Sequence, residues 1–233
     1  MKTFVDLFAG IGGFRLALEQ LGMKCLMTSE ICPHAKKIYS ANFPGKIDGD
    51  LAKIKEFPKA DMVVAGFPCQ PFSRLRNNYG SKHSADNCFD LVINTIGKIR
   101  PKVFLLENVP ALAQGRNKVF FETKLARLLD LGYKINYSIL DALNFVPQRR
   151  KRLFILGGFD YHFFPNIHSH EKRTVEMIME DNVPTEFLIS SQTMVRYHEH
   201  TEKQQAKGRN YRINIVQKDT PCLLYTSPSP RDS

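Results

Sequence analysis

Apolar residues are concentrated in six short runs that predict β-strands. Most of these runs are continuously apolar, which is typical of strands that are covered on both faces of a sheet. The predicted strands are Thr3–Phe8, Lys24–Ser29, Met62–Gly66, Val103–Glu107, Ile135–Leu140 and Leu153–Leu156.

Segments with helical spacing of apolar residues lie between these runs. Gly22 and Gly132 each follow one such segment, and glycine is typical of the position just after a helix. Because strand and helix alternate, the pattern predicts an α/β fold with a doubly wound, mostly parallel sheet. The predicted helices are Phe14–Leu21, Pro33–Ala41, Phe89–Ile99 and Lys118–Leu131.

The pattern changes after Gly158. A linker rich in His and Phe is followed by a helix-like segment, Thr174–Met179, and then by polar sequence of weak periodicity. We therefore predict one α/β domain over 1–158 and a linker with the start of a smaller region over 159–221.

The last twelve residues, 222–233, do not continue the preceding pattern. Their sequence from Cys222 to Asp232 resembles the translation of a transposase adapter used to prepare sequencing libraries. We expect an artefact from residue 222 onward, with the natural sequence cut near Pro221. The alternative is a natural disordered tail rich in Ser and Pro.

Composition narrows the class of protein. A chain of 233 residues with 43% hydrophobic content can bury one substantial core and part of a second module. Lys and Arg outnumber Asp and Glu by 33 to 23, which favours a polyanionic partner such as nucleic acid, although many basic proteins bind none.

The five cysteines form no Cys-x-x-Cys pair and their number is odd. Neither a zinc site nor a closed disulfide framework is indicated, and no metal site is predicted. The chain also lacks a signal-like start and any apolar run long enough to span a bilayer, so we expect a soluble protein of a reducing cytoplasm.

The segment Gly66–Ser73, Gly-Phe-Pro-Cys-Gln-Pro-Phe-Ser, carries a thiol on a sharp turn directly after a predicted strand. Prolines on both sides of the Cys69-Gln70 pair stiffen the turn and keep it out of a helix. A rigid Cys at a strand end indicates a nucleophile, whereas the alternative is a buried structural Cys.

Three acids lie in the first part of this pattern: Asp6 within the first predicted strand, Glu30 directly after the second, and Asp50 after the next turn. The first strand runs into Asp6–Gly13, a glycine turn before a helix that lets a ligand approach bare backbone. Glu30 lies 20 residues after Gly10, where a carboxylate can accept both hydroxyls of a ribose, and Asp50 could accept from an adenine amino group. Singly, each acid could be a solvated surface residue, and the glycines could serve helix packing.

Further polar groups follow other strands. Glu107–Val109 ends a strand, and Gln148–Arg152 leads into the last one. A thiolate, a carboxyl group and a cofactor at neighbouring strand ends can converge in one crevice.

The motifs Asp6–Gly13, Gly66–Ser73, Glu107–Val109 and Gln148–Arg152 together resemble the DNA (cytosine-5)-methyltransferases in order and spacing. The likeness covers roughly residues 1–158 and is weaker beyond. It implies a Rossmann-like, S-adenosylmethionine-dependent enzyme that methylates C5 of cytosine in DNA. Cys69 would add to C6 of the base, and Glu107 would hydrogen-bond N3 and the exocyclic amine.

The resemblance also assigns supporting roles. Asn108 would support Glu107, while Arg150 and Arg152 would hold the cytosine carbonyl and a phosphate or brace the acid. Phe8 would stack on the adenine. The cofactor residues would be Asp6, Leu7, Phe8, Ala9, Gly10, Gly12, Gly13, Glu30, Ile31, Asp50, Leu51 and Pro68.

The target base would be flipped out of double-stranded DNA, with contacts from the loop after Ser73. The candidate DNA-contacting residues are Gln70, Ser73, Arg74, Arg76, Asn77, Lys82 and Gln148. The segment Lys82–Phe89 departs from the pattern that family members usually carry there, and the late family motifs are absent. The family implies a bacterial or phage-encoded monomer, with a restriction endonuclease as a possible partner. The alternatives are a tRNA cytosine-5 methyltransferase and an inactive nucleic-acid-binding fragment.

Overall fold

The computed structural model describes residues 1–68, 85–160, 164, 174–211 and 219. The predictions for the loop residues lie outside this set. They concern Cys69, Gln70, Ser73, Arg74, Arg76, Asn77 and Lys82.

The described residues form six strands and five α-helices. The strands are β1 (Thr3–Leu7), β2 (Lys24–Ser29), β3 (Met62–Ala65), β4 (Val103–Asn108), β5 (Lys134–Asp141) and β6 (Lys151–Gly158). The helices are α1 (Gly13–Gln20), α2 (Pro33–Asn42), α3 (Ala85–Ile99), α4 (Lys118–Asp130) and α5 (Ser191–Ala206).

The six strands form one sheet in the order β2-β1-β3-β4-β6-β5. Strand β1 pairs in parallel with β2 and β3, and β3 pairs in parallel with β4. Strand β6 runs antiparallel to β4, with Asn108 opposite Leu153. The predicted α/β class and the mostly parallel sheet are confirmed.

Apolar side chains cover both faces of the sheet. Val5 and Leu7 of β1 belong to a large cluster that includes Phe89 of α3 and Leu128 of α4. Phe4 belongs to a second cluster with residues such as Leu18 of α1. Because successive strand side chains point to opposite faces, this division explains why the strands are almost continuously apolar.

The helix α5 is absent from the sequence prediction. It has no buried residue, so its sequence shows little amphipathic signal. Its start is capped locally, since the Ser190 hydroxyl accepts a hydrogen bond from the Thr193 amide at 3.2 Å. The helix-like segment predicted over Thr174–Met179 is a single 3₁₀ turn at Val175–Ile178.

The chain divides into two compact units. One contains the described residues within 1–140 and 151–166, and the other contains those within 141–150 and 167–226. None of the helices in the described part of the chain has the length and apolar character needed to cross a membrane.

The amino ends of the central strands are held by Asp61. Its Oδ2 accepts hydrogen bonds from the backbone N–H groups of Lys2 and Thr3 at 2.8 and 3.2 Å, and its Oδ1 pairs with Lys102 Nζ at 2.8 Å. At this same edge, Arg100 lies over the rings of Tyr133 and Phe159, which stack with centroids 4.6 Å apart. We call Arg100, Tyr133 and Phe159 the amino-end stack.

Candidate functional site

A glycine turn joins β1 to α1 at the carboxyl edge of the sheet. Phe8, Gly10 and Gly12 have φ angles of 53°, 57° and 96°. The turn is closed by a hydrogen bond from Gly12 N–H to the Ala9 carbonyl at 2.9 Å, and the Gly12 carbonyl accepts from Leu16 N–H at 2.9 Å. A left-handed φ at a bulky residue such as Phe8 is uncommon and clusters at functional sites.

Gly12 leaves no room for a side chain. A Cβ atom at this position would lie 2.2 Å from Cε2 of Phe43. At Gly10 and Gly13, by contrast, no atom lies within 4 Å of the corresponding Cβ position. The turn therefore presents open backbone at Gly10 and Gly13 and is supported by an aromatic ring at Gly12.

Glu30 fastens this turn to the end of β2. Its Oε2 accepts from Gly10 N–H at 2.8 Å, and its Oε1 accepts from the N–H groups of Ile31 and Cys32 at 2.8 and 2.7 Å. A carboxylate has about four acceptor positions, so a ribose would share an oxygen already engaged with backbone. The sequence spacing found Glu30 but could not reveal its bond to the turn.

Asp50 lies between α2 and β3, directly before the short 3₁₀ turn Leu51–Lys53. Its Oδ1 accepts from Ala52 N–H at 3.0 Å and caps the short 3₁₀ turn Leu51–Lys53. Ser29 Oγ donates to the Gly49 carbonyl at 3.1 Å. Backbone bonds between Asp48 and residues 28 and 30 add to this link. Glu30 and Asp50 are therefore on directly joined segments.

Asp6 is fully buried, and neither oxygen of its carboxyl group has a hydrogen-bond partner among the described residues. Buried polar atoms are almost always partnered, so this pair of acceptors is unusual. Burial raises the pKa of Asp6 to about 7; the charge of Arg15 opposes this shift and that of Glu30 adds to it. The sequence prediction included Asp6 as a cofactor residue but gave no sign that its carboxyl group would be buried without a hydrogen bond among the described residues.

Glu107 and Arg152 form an ion pair across β4 and β6. Glu107 Oε1 lies 2.9 Å from Arg152 Nε, and the two side chains are 26% and 17% exposed. A Cβ atom at Gly66 would lie 3.5 Å from Glu107 Oε2, so the carboxylate lies beside the end of β3. Gly66 precedes Cys69 by three residues in the sequence. The pair has the geometry of an arginine that braces the acid.

Asn108 is buried and its side chain bonds backbone on both sides. Nδ2 donates to the Phe67 carbonyl at 3.0 Å, and Oδ1 accepts from Val109 N–H at 2.8 Å. Neither of these bonds goes to Glu107, the residue that it was expected to support. Asn108 anchors Phe67, just before Pro68, through tertiary pairing that leaves no signal in the sequence. Its support of Glu107 stays a prediction.

The Gln148–Arg150 segment belongs to the second unit. Asp141 Oδ1 accepts from the N–H groups of Leu143 and Arg150 at 3.2 and 3.0 Å, and the Arg150 carbonyl accepts from Ala142 N–H at 3.0 Å. These bonds fix the backbone of Arg150 within its own unit.

A cavity of about 550 Å³ lies between α3, α4 and the residues after Asp50. Its lining includes Leu51, Leu91, Lys98 and Leu131. Leu51 is the only predicted site residue in this lining, so this cavity of the described part is not the predicted reaction site.

Comparison with known proteins gives a consistent result. Residues 2–227 match the family model described as "C-5 cytosine-specific DNA methylase". The chain is 41% identical over 203 residues to Type II methyltransferase M.BsuFI of Bacillus subtilis, covering 84% of this chain and 49% of that protein. It is 37% identical over 229 residues to Type II methyltransferase M.HpaII of Haemophilus parainfluenzae, covering 93% and 64%. The chain thus spans about half to two thirds of the length of these curated relatives.

Solved structures show the same fold. The Entamoeba histolytica methyltransferase EhMeth superposes with a TM-score of 0.67 at 22% identity, covering 85% of this chain and 66% of that one. The S. pombe Dnmt2 methyltransferase superposes with a TM-score of 0.71 at 18% identity, covering 95% and 70%.

Proposed function

The chain belongs to the C-5 cytosine-specific DNA methylase family, and from that premise we propose that the protein transfers a methyl group from S-adenosylmethionine to C5 of cytosine in double-stranded DNA. The observation that carries the proposal is the arrangement at one edge of the sheet. The glycine turn follows β1 and the segment entering Cys69 follows β3, while Glu107, near the end of β4, pairs with Arg152 of β6. Strands β1, β3 and β4 are parallel neighbours.

The turn after β1 suits a nucleoside cofactor with a cationic sulfur. Open backbone at Gly10 and Gly13 gives the methionine end room to approach, and Phe8 and Leu51 are proposed to border the adenine. The unpartnered carboxyl group of Asp6 supplies acceptors near this turn. S-adenosylmethionine, when bound, supplies a methyl group bonded to a positively charged sulfur.

Cys69 is proposed as the nucleophile. Its thiolate adds to C6 of the flipped cytosine, and the electron pair of the C5–C6 double bond moves to C5, which becomes nucleophilic. Once C5 carries the methyl group, loss of the C5 proton and expulsion of the Cys69 thiolate restore the ring as 5-methylcytosine. The protonated carboxyl group of Glu107 is proposed to donate to N3 and to accept from the exocyclic amine as Cys69 adds.

Two neighbours position these groups. Arg152 fixes the direction of the Glu107 carboxylate through the ion pair, which leaves the carboxylate oriented before the base arrives. Asn108 holds the Phe67 carbonyl and thereby restrains the backbone just before Cys69. Arg150 is proposed to contact the cytosine carbonyl or a nearby phosphate.

The remaining predictions about DNA contacts follow from the family. The loop residues Gln70, Ser73, Arg74, Arg76, Asn77 and Lys82, with Gln148, are proposed to contact the DNA around the flipped cytosine, including its phosphates. We propose that residues 1–158 carry cofactor and chemistry and that 159–221 begin a target-recognition region. We also propose a bacterial or phage origin, a cytoplasmic location and a restriction endonuclease as partner; the two named relatives are Type II methyltransferases of bacteria.

Covalent trapping tests the proposal. The protein is mixed with S-adenosylmethionine and duplex DNA that contains 5-fluorocytosine, which cannot lose a proton from C5 and therefore retains the Cys69 adduct. We expect a denaturation-resistant complex with the wild type and none with Cys69→Ser. Trapping only on 5-fluorocytosine tRNA would assign the RNA substrate instead. No trapping on either, with a folded protein, would indicate that the chain is an inactive fragment.

A further inference from the structure

Arg15 is a buried cation whose three nitrogens all have partners. Nε donates to Glu19 Oε1 at 2.7 Å, Nη1 to the Tyr39 hydroxyl at 3.3 Å, and Nη2 to the Pro44 carbonyl at 3.1 Å. The residue is only 9% exposed. One side chain thus joins α1 to α2 and to the turn that follows α2.

The same guanidinium also lies over two aromatic rings. Its central carbon is 4.9 Å from the centroid of Phe43 and 5.5 Å from that of Tyr39, and the two ring centroids are 4.9 Å apart. A desolvated arginine over an aromatic face is a strong form of this contact. Arg15 therefore fixes the position of Phe43 from one side.

Phe43 in turn contacts the cofactor turn. Its ring edge occupies the space that a side chain at Gly12 would need, and Gly12 has a φ of 96°. Gly12 is also the residue that caps α1. The turn is consequently held at Gly10 by the Glu30 carboxylate and at Gly12 by the Phe43 ring.

We propose that Arg15 is a positioning residue for the cofactor turn: it holds Phe43 against Gly12 and so keeps the Gly10–Gly13 backbone in the conformation that receives the cofactor. The inference rests on the proposed function, since it assigns Arg15 to that same cofactor site. A structural arginine alone would stabilise the unit without a selective effect on the turn, and this difference can be measured.

The test uses Arg15→Met, which keeps much of the side-chain length but removes the charge and the donors. Hydrogen exchange of the ligand-free protein reports the turn directly, because Gly10 and Gly12 N–H groups are hydrogen bonded. We expect about tenfold faster exchange in a peptide spanning residues 8–14 and about tenfold weaker binding of S-adenosylhomocysteine. A peptide around Tyr133 should be unchanged.

The matched control is Arg100→Met, because Arg100 also lies over two aromatic rings but at the opposite edge of the sheet. We expect it to accelerate exchange near Tyr133 and to leave residues 8–14 and the cofactor affinity unchanged. Arg15→Lys retains a charge without the planar fork of donors. Compared with Arg15→Met, it should recover part of the slow exchange of residues 8–14 and part of the affinity for S-adenosylhomocysteine.

Phe43→Leu provides a second variant if Arg15→Met does not fold. It withdraws the ring from Gly12 while leaving the hydrogen bonds of Arg15 in place, and it should weaken the turn in the same way. The inference is overturned if either folded variant accelerates exchange uniformly, or leaves residues 8–14 unaffected. If the wild type binds no S-adenosylhomocysteine, the proposed function fails for this chain, while the exchange data still decide the role of Arg15.

Discussion

The two edges of the parallel sheet differ in how completely their polar groups are partnered. At the amino edge, Asp61 accepts hydrogen bonds from two backbone N–H groups and pairs with Lys102. In the amino-end stack, the Arg100 guanidinium lies over both aromatic rings. At the carboxyl edge, Asp6 is buried without a hydrogen bond among the described residues, and Phe8 has a left-handed φ. A left-handed φ occurs at both edges, at Phe8 and at Arg100, so the difference lies in the buried carboxyl group of Asp6 at the edge that the proposed function uses.

The largest expected effect is on the methylation rate, and it should distinguish Glu107, paired with Arg152 at the carboxyl edge, from Asp61, paired with Lys102 at the amino edge. Glu107→Gln should slow methylation about 10²- to 10³-fold, because the amide cannot replace a carboxylate that orients and stabilises the reacting base. The thermal midpoint should change little. The measurement is single-turnover methylation of duplex DNA.

Asp61→Asn is the matched change at the amino edge. It should lower the thermal midpoint and leave the methylation rate of the folded protein unchanged, because the partners of the Asp61 side chain among the described residues are Lys2, Thr3 and Lys102. A large rate effect of Asp61→Asn, or none of Glu107→Gln, would remove the functional distinction between the edges.

The next effect concerns the glycine turn. Gly12→Ala should reduce the free energy of unfolding by about 3 kcal/mol, since the new methyl group meets the Phe43 ring and the φ of 96° is unfavourable for alanine. Cofactor affinity should fall as well. Urea unfolding and calorimetry measure the two quantities.

Gly132→Ala provides the comparison for backbone conformation alone. Its φ is 84°, but nothing lies within 4 Å of its Cβ position. Gly132→Ala should lower the free energy of unfolding by only about 1 kcal/mol and leave cofactor affinity unchanged. Equal losses at the two glycines would show that the Phe43 contact contributes nothing.

A pH titration examines the unpartnered acid. The pKa of Asp6 is raised from 3.8 to about 7 in the fold, mainly by burial, so the folded state holds the proton more tightly than the unfolded state. Stability from this group is therefore greatest at low pH and declines as pH rises through about 7. The free energy of unfolding should fall by about 2 kcal/mol between pH 5 and pH 8 because of Asp6.

Asp6→Asn removes this titration, so the pH dependence of its unfolding should be flatter over the same range. Urea unfolding at several pH values compares the two proteins. Parallel curves for wild type and Asp6→Asn would contradict the assignment of a high pKa to Asp6.

The smallest expected effect is a loss of stability from a change in the amino-end stack. The Tyr133 hydroxyl donates to the Pro101 carbonyl at 2.8 Å, and burial raises the pKa of Tyr133 to about 12, so the hydroxyl keeps its proton well above neutral pH. Tyr133→Phe should cost about 1 kcal/mol, or about 3 °C in thermal midpoint. Calorimetry should find unchanged cofactor affinity, and a weakened affinity would link the two edges.

The sequence predicted the strands well because each is a short apolar run between polar turns. It also placed Glu30 and Glu107 at strand ends, where the structure has them, while their roles stay predictions. Boundaries were less accurate: α3 begins at Ala85 and β6 spans Lys151–Gly158. The antiparallel course of β6, the Asn108 bond to Phe67 and the isolation of Asp6 depend on which strands become neighbours. Arg15 was missed because a single arginine in an amphipathic helix predicts an exposed side chain.

The position of β6 has a consequence for synthesis of the protein. Strand β6 lies between β4 and β5, although β5 precedes it in the chain. During translation, β5 therefore has no sheet neighbour, and the edge of β4 stays open, until Gly158 has left the ribosome. The Glu107–Arg152 pair can form only at that moment, so nascent chains shorter than this expose an unpaired strand edge that chaperones could bind.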